Sequence, residues 1–185
     1  MSERSLPMPA AVQTRLWQEA GDMPAYVILD GAQNPSLLGA LYADHAPRWR
    51  CLFTGQLEPD MATVAPYLVE LEHSSAFTRR LLAEGWGQNW GVFLTSEAPL
   101  PVLWRHLRAQ TLVYGPDLEP LYFRFYDPRV LRVFLTCCTP RQAGLFFEDV
   151  GSFLVEGEDP ATLLRFRAGG AEATGALRET IAVTA

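Results

Sequence analysis

The sequence predicts an α/β fold, a mixed β-sheet with helices packed on it, in a single domain. Short apolar segments with strand character alternate along the chain with segments whose apolar residues recur at helical spacing. Two strand-like segments within 111–126 enclose the turn Gly115-Pro116-Asp117, which predicts a hairpin, so the sheet is not purely parallel. A chain of 185 residues is long enough for one domain with a sizeable core.

The predicted elements follow one another without long gaps. Residues 1–22 are expected to form a leader with a short helical stretch at 12–20. Apolar runs predict strands at 25–30, 51–54, 66–71, 91–95, 111–114, 121–126 and 150–156. Helical spacing and capping residues predict helices after Asn34-Pro35, after Ser74, at 99–108, at 128–138 and after Thr139. The predicted domain spans 23–168, and residues 169–185 are expected to be a mobile tail.

The most informative segment is 121–135, where a predicted strand leads directly into a predicted helix. Strand alternation predicts two opposite faces, with Leu121, Phe123 and Phe125 on one and Tyr122, Arg124 and Tyr126 on the other. Asp127 stands where a helix N-cap is expected, and Pro128 where the first helical residue is expected. Arg129 and Arg132 then lie on a narrow polar stripe beside a wide apolar one. Arginine in so apolar a segment predicts a partner for each of these cations.

Composition limits the possible functions. The net charge is −6, which argues against nonspecific binding of nucleic acid. All 15 basic residues are arginine, so chemistry that needs a lysine is excluded. Two explanations of the missing lysine stay open, a genomic base composition that favours arginine codons and a need for bidentate donors at an interface. No apolar run approaches the length of a membrane span, and the three cysteines form no disulfide or zinc pattern.

The common catalytic and cofactor motifs do not occur in the chain. His45, His73 and His106 are dispersed, and His106 is interpreted as a packed or rim histidine. We therefore expect a protein that is not an enzyme and that uses no cofactor.

Asp30 and Asp127 each follow a predicted strand, and ligands of α/β sheets gather at the carboxyl ends of strands. The two carboxylates are therefore expected to lie near each other, with Arg124 or Arg129 between them. One interpretation is structural, with Asp30 shaping a turn and Asp127 capping a helix. The alternative is a small hydrolase or anion-binding enzyme that uses Asp30 with Arg124 or Arg129.

Trp86 and Trp90 lie in the segment Gly-Trp-Gly-Gln-Asn-Trp-Gly, which combines flexible glycines with large aromatic rings. Exposed, the two indoles would suit a protein interface. Buried, they would cover the core. The sequence leaves both possibilities open.

Four segments occur in a characteristic order: 25–32, 65–71, 103–108 and 124–131, the last reading Arg-Phe-Tyr-Asp-Pro-Arg-Val-Leu. Together they resemble the domain of unknown function 4123, a family of type VI secretion effector adaptors and chaperones, over roughly 25–155. The resemblance implies a bacterial cytoplasmic protein encoded beside a secreted toxin. It implies two partners, the cognate effector, bound through its N-terminal region, and a VgrG-type spike protein onto which the effector is loaded. Neither nucleic acid nor membrane is an expected partner.

The family pattern assigns no catalytic residue, so none is transferred to this chain. The residues expected to bind the partner or to determine the fold are Asp30, Trp86, Trp90, Arg124, Tyr126, Asp127, Arg129 and Arg132.

Overall fold

The computed structural model describes residues 8–43, 47–169 and 175–183. The helices are α1 (Met8–Ala20), α2 (Leu37–Leu41), α3 (Pro59–Val64), α4 (Ala76–Gly85), α5 (Leu100–Ala109), α6 (Pro128–Cys137) and α7 (Pro140–Phe146). The strands are β1 (Ala25–Asp30), β2 (Trp49–Cys51), β3 (Pro66–Leu71), β4 (Gly91–Thr95), β5 (Leu112–Tyr114), β6 (Pro120–Tyr122), β7 (Ser152–Glu156), β8 (Thr162–Ala168) and β9 (Ala176–Ala182). None of the helices in these ranges is long and apolar enough to cross a bilayer.

Seven strands form one sheet in the order β2-β3-β1-β4-β7-β8-β9, and β5 and β6 form a separate hairpin. Each pairing between the described strands is antiparallel. Strands β3 and β4 flank β1 on opposite sides, so α4 connects them by crossing over β1. The predicted class, an α/β domain with helices packed on a sheet, is confirmed. Because both pair antiparallel with β1, strands β3 and β4 run parallel to each other.

Strand β1 lies in the interior of the sheet, between β3 and β4, and both of its faces are apolar. Tyr26 and Ile28 point into a core formed with α5, α6 and α7. Val27 and Leu29 point into a second core formed with α1, α2 and α4. A strand buried on both faces reads as a continuous apolar run, which is the pattern of residues 25–29. The domain therefore has three layers, with a helical layer on each face of the sheet.

The predicted strand at 121–126 is partly wrong. Strand β6 ends at Tyr122, and the chain then turns, with the Asp127 backbone N–H donating to the Arg124 carbonyl at 3.0 Å. Phe125 and Tyr126 both pack into the first core, so they do not alternate between opposite faces. The strand stops because these two rings pack into the core beneath α6, an arrangement that an extended backbone would not allow.

The two termini of the domain also differ from the sequence prediction. The helix expected near 12–20 begins at Met8, and its Val12, Leu16 and Ala20 are buried against the sheet. The tail predicted to be mobile contains β9, which pairs with β8 along its whole length. Local sequence missed this strand because its stability comes from pairing with β8 rather than from an apolar run of its own. Residues 1–7, 170–174 and 184–185 lie outside the described residues.

Substitution of Leu16 tests whether α1 belongs to the core. Leu16→Ala should lower the free energy of unfolding by about 2–4 kcal/mol, because it leaves a cavity in a fully buried position. Gln18→Ala, on the exposed side of the same helix, is the matched control and should change it by less than about 0.5 kcal/mol. Urea melts of both variants measure the difference. Equal stability of Leu16→Ala and wild type would show that α1 is a detachable leader.

Candidate functional site

The start of α6 is fixed by Asp127, as the sequence predicts. Its carboxylate accepts a hydrogen bond from the Arg129 backbone N–H at 2.9 Å, which is an N-cap interaction, and Pro128 occupies the first turn. The same carboxylate accepts two bonds from the Arg129 guanidinium, at 2.9 and 2.7 Å. Asp127 is buried while Arg129 reaches solvent. One carboxylate therefore both caps the helix and holds an arginine at its N-terminus.

Asp30, at the end of β1, contacts the turn that precedes α6. Its Oδ2 accepts a hydrogen bond from the Arg124 guanidinium at 2.5 Å, and its Oδ1 accepts one from the Ala32 backbone N–H at 3.0 Å. The Arg124 guanidinium also lies 4.0 Å from the Asp127 carboxylate. The predicted arrangement of two carboxylates with an arginine between them is therefore present. It connects the end of β1 to the turn before α6.

The electrostatics of this junction favour its charged form. Burial raises the pKa of the Asp127 carboxyl, but the hydrogen bonds from Arg129 outweigh burial and the net shift is downward. The hydrogen bond to Asp30 raises the pKa of Arg124. Burial, followed by the charge of Asp30, raises the pKa of Tyr126 to about 12, so its hydroxyl stays protonated at neutral pH. Tyr126 thus contributes a neutral, buried ring over which Arg124 lies at 6.0 Å.

The Asp30 carboxylate is closed off from solvent. Only 1% of its side chain is exposed, whereas Arg124 exposes 42% of its side chain. Each of the Asp30 carboxylate oxygens has a hydrogen-bond donor from the chain itself. Within the described ranges no group of three or more His, Cys, Asp and Glu side chains is arranged to hold a metal ion. The geometry therefore gives Asp30 the role of an internal anchor and does not place it in an open site.

Arg132 anchors the next turn of α6 to the sheet. Its guanidinium donates to the Glu156 carbonyl at 2.7 Å. The Glu156 side chain is buried, and its Oε2 accepts a hydrogen bond from the Gly87 backbone N–H. Its Oε1 has no hydrogen-bond partner among the described residues. Burial raises the pKa of the Glu156 carboxyl in spite of this backbone donor.

Trp86 and Trp90 are half-buried and cover the second core. The Trp86 indole N–H donates to the Pro160 carbonyl at 2.8 Å, and its ring lies 6.2 Å from that of Phe93. The Trp90 ring lies so close to Gly85 that a Cβ at that position would come within 2.5 Å of it. Gly85 is therefore required by the packing of Trp90. The structure favours the covering role for both indoles over the exposed one.

His73 and His106, the histidines that the structure describes, lie in separate places. His106 Nε2 lies 3.1 Å from the Phe146 carbonyl, in agreement with the predicted rim position. His73 packs against Trp17 at a ring distance of 5.1 Å. His45 lies outside the described residues.

The β5–β6 hairpin forms a surface that was not predicted from the sequence. The sequence predicts the hairpin as part of the sheet, but the hairpin stands apart and all six of its paired residues are exposed. Its large apolar side chains expose between 40% and 66% of their surface: Leu112, Val113, Tyr114, Leu121 and Tyr122. Leu118 at the turn exposes 78% and has a φ of 61°. Pro120 was the available signal, because proline is disfavoured inside a sheet.

A groove of about 570 Å³ lies between this hairpin and α5. Leu112, Tyr114 and Tyr122 form one wall, and Phe53 packs on Tyr122 at a ring distance of 4.9 Å. Arg105 and Arg108 of α5 also line the groove. The groove thus combines an apolar, aromatic wall with positive charge.

The fold and these two features define a single-domain α/β protein with a buried ion-pair junction and a projecting apolar hairpin. A family model described as domain of unknown function (DUF4123) matches residues 25–145, well over half of the chain. The chain therefore belongs to this family, as the sequence resemblance indicated. The matched region runs from β1 into α7 and includes both the junction and the hairpin. No curated protein and no solved structure matches the chain.

Removal of Arg124 tests the junction. Arg124→Ala should lower the free energy of unfolding by about 2–3 kcal/mol, because it leaves the buried Asp30 carboxylate without its counter-ion, although water partly reaches the vacated position. The double variant Asp30→Asn/Arg124→Ala removes the unpaired charge and should recover part of this loss. Thermal or urea melts measure both. A single variant that melts like wild type would show that Arg124 acts at the surface only.

The buried Glu156 carboxyl predicts that the stability of the domain depends on pH. Burial raises the pKa of the Glu156 carboxyl above the ordinary 4.5 in the folded state. Stability should therefore fall as the pH rises from about 4.5 to the folded pKa, because the buried carboxyl must ionise. Below about 4.5 the carboxyl is protonated in both states and has no effect. Glu156→Gln should therefore be at least as stable as wild type at neutral pH. The advantage of the variant should shrink as the pH falls towards 4.5. Urea melts over this range measure the difference, and an advantage that is independent of pH would contradict the prediction.

Proposed function

We propose that this protein is an effector adaptor, or chaperone, of a bacterial type VI secretion system. It binds one cognate toxin effector in the cytoplasm, through the N-terminal region of that effector, and promotes its loading onto a VgrG-type spike. Membership of the DUF4123 family supports the class of function. The observation that carries the proposal is the exposed apolar hairpin, which lies inside the region that defines the family.

The hairpin has the properties of a binding surface. A soluble domain seldom exposes a contiguous group of large apolar side chains without a partner to cover them. Two of the exposed residues, Tyr114 and Tyr122, are of a type that often dominates binding energy at protein interfaces. A partner that covers the hairpin would bury these side chains and gain the hydrophobic free energy that the isolated domain leaves unused.

The hairpin is also held firmly enough to present a defined surface. A two-stranded hairpin is marginally stable alone in water. Here the Phe123 backbone N–H donates to the Thr111 carbonyl at 2.9 Å and closes the base of the hairpin. One residue later, Arg124 is tied to Asp30. The chain therefore leaves the hairpin at a fixed point of the domain, which suits recognition of one partner with little rearrangement.

Substitution of exposed hairpin residues tests this function. The double variant Tyr114→Asp/Leu118→Asp should weaken binding to the toxin encoded beside this protein by about tenfold or more, since it places charge on the apolar surface. Its folding should be unaffected, because both side chains are largely exposed. Leu145→Asp, an exposed apolar position on α7, is the matched control and should bind like wild type. Co-purification and titration with the purified toxin and spike proteins measure the effect.

Two outcomes would count against the proposal in different ways. If wild type binds neither the toxin nor the spike at micromolar concentration, the adaptor function is wrong. If the hairpin variant and the α7 control bind equally well, the function stands but the hairpin is not the surface that carries it.

A further inference from the structure

We infer that the groove between the hairpin and α5 accepts a segment of the partner that carries both apolar side chains and carboxylates. The inference rests on the proposed function for the identity of the partner, but the chemistry comes from the groove itself. The lining of the groove indicates an acidic and apolar segment, and its side chains are the residues that would select that segment.

The apolar wall of the groove is one face of the hairpin. In the register of the two strands Leu112 lies opposite Tyr122, and Tyr114 lies two residues further along β5. Side chains at these positions project to the same side of a two-stranded ribbon. All three line the groove, together with Phe53. A volume of about 570 Å³ is enough for several side chains of a bound segment.

The cations beside this wall are held in position by Trp104. The Arg108 guanidinium lies 4.8 Å from the Trp104 ring centre, and that of Arg50 lies 5.5 Å from it. The ring itself is fixed, because its N–H donates to the Cys51 carbonyl at 2.7 Å. Arg105 lines the groove one turn before Arg108. Stacked guanidinium groups keep their N–H donors available for a bidentate carboxylate.

The charge of these arginines is not neutralised by the part of the chain that the structure describes. No carboxylate lines the groove, and none of Arg50, Arg105 and Arg108 takes part in the ion pairs of the described residues. The nearby Glu119 is engaged in the turn, where its carboxylate accepts the Asp117 backbone N–H at 3.0 Å. On a chain with a net charge of −6, this groove is a local positive site. Charge complementarity therefore favours an acidic segment over a basic or neutral one.

The first experiment measures binding of the toxin at low and at high salt. The variant Arg105→Gln/Arg108→Gln should bind the toxin at least about tenfold more weakly than wild type, and the difference should shrink at about 0.5 M salt. Arg141→Gln, an exposed arginine on α7, is the matched control and should bind like wild type. Equal binding by the groove variant and wild type would overturn the inference and leave the adaptor function intact. Absence of binding by wild type would instead contradict the adaptor function.

The second experiment needs no toxin. N-acetyl-phenylalanine and its amide differ only in the carboxylate, and both can be titrated into the labelled protein by NMR. The carboxylate form should shift signals of the groove residues at lower concentration than the amide, and Arg105→Gln/Arg108→Gln should remove this difference. Equal responses to the two probes, or shifts confined to another part of the domain, would overturn the inference. So would a dimer in sedimentation equilibrium that this variant abolishes, because the occupant would then be a second copy of the chain.

Discussion

The ion pair between Asp30 and Arg124 is the constraint on which the functional part of the structure depends. Asp30 ends β1, an interior strand of the sheet, where its carboxylate is fully buried and accepts a hydrogen bond from the Arg124 guanidinium at 2.5 Å. A buried carboxylate without a counter-ion is costly, so the position of Arg124 is fixed by the sheet. Arg124 lies between the hairpin and α6, and its bond to Asp30 therefore ties the chain to the sheet between these two elements.

The consequences extend in both directions along the chain. After Arg124, Asp127 caps α6 and holds Arg129, and one turn further Arg132 ties the helix to β7 by donating to the Glu156 carbonyl. Before Arg124, the hairpin remains outside the sheet with its apolar side chains exposed. The same family-defining segment thus contains a closed polar junction and the exit of an open apolar surface. The junction holds the turn before α6 against the end of β1. The proposed adaptor function uses the exposed surface beside this junction.

Much of the local structure could be predicted from sequence, because its causes are local. Strand β1 follows from a continuous apolar run, Asp127 from the Asp-Pro pair, and the capping box of α7 from Thr139 and Gln142. The features that were missed depend on distant residues. Arg124 and Asp30 are 94 positions apart, and no alternation pattern shows that they are in contact or that the strand ends at 122. Strand β9 likewise depends on its pairing with β8.

We propose that the hairpin and the groove beside it form the surface that binds the effector. Hydrogen exchange of the protein, measured alone and in complex with the neighbouring toxin, would locate the binding surface. We expect slower exchange at 105–123 in the complex, with little change at β8 and β9. Protection confined to β8 and β9, with the hairpin exchanging as in the free protein, would contradict it.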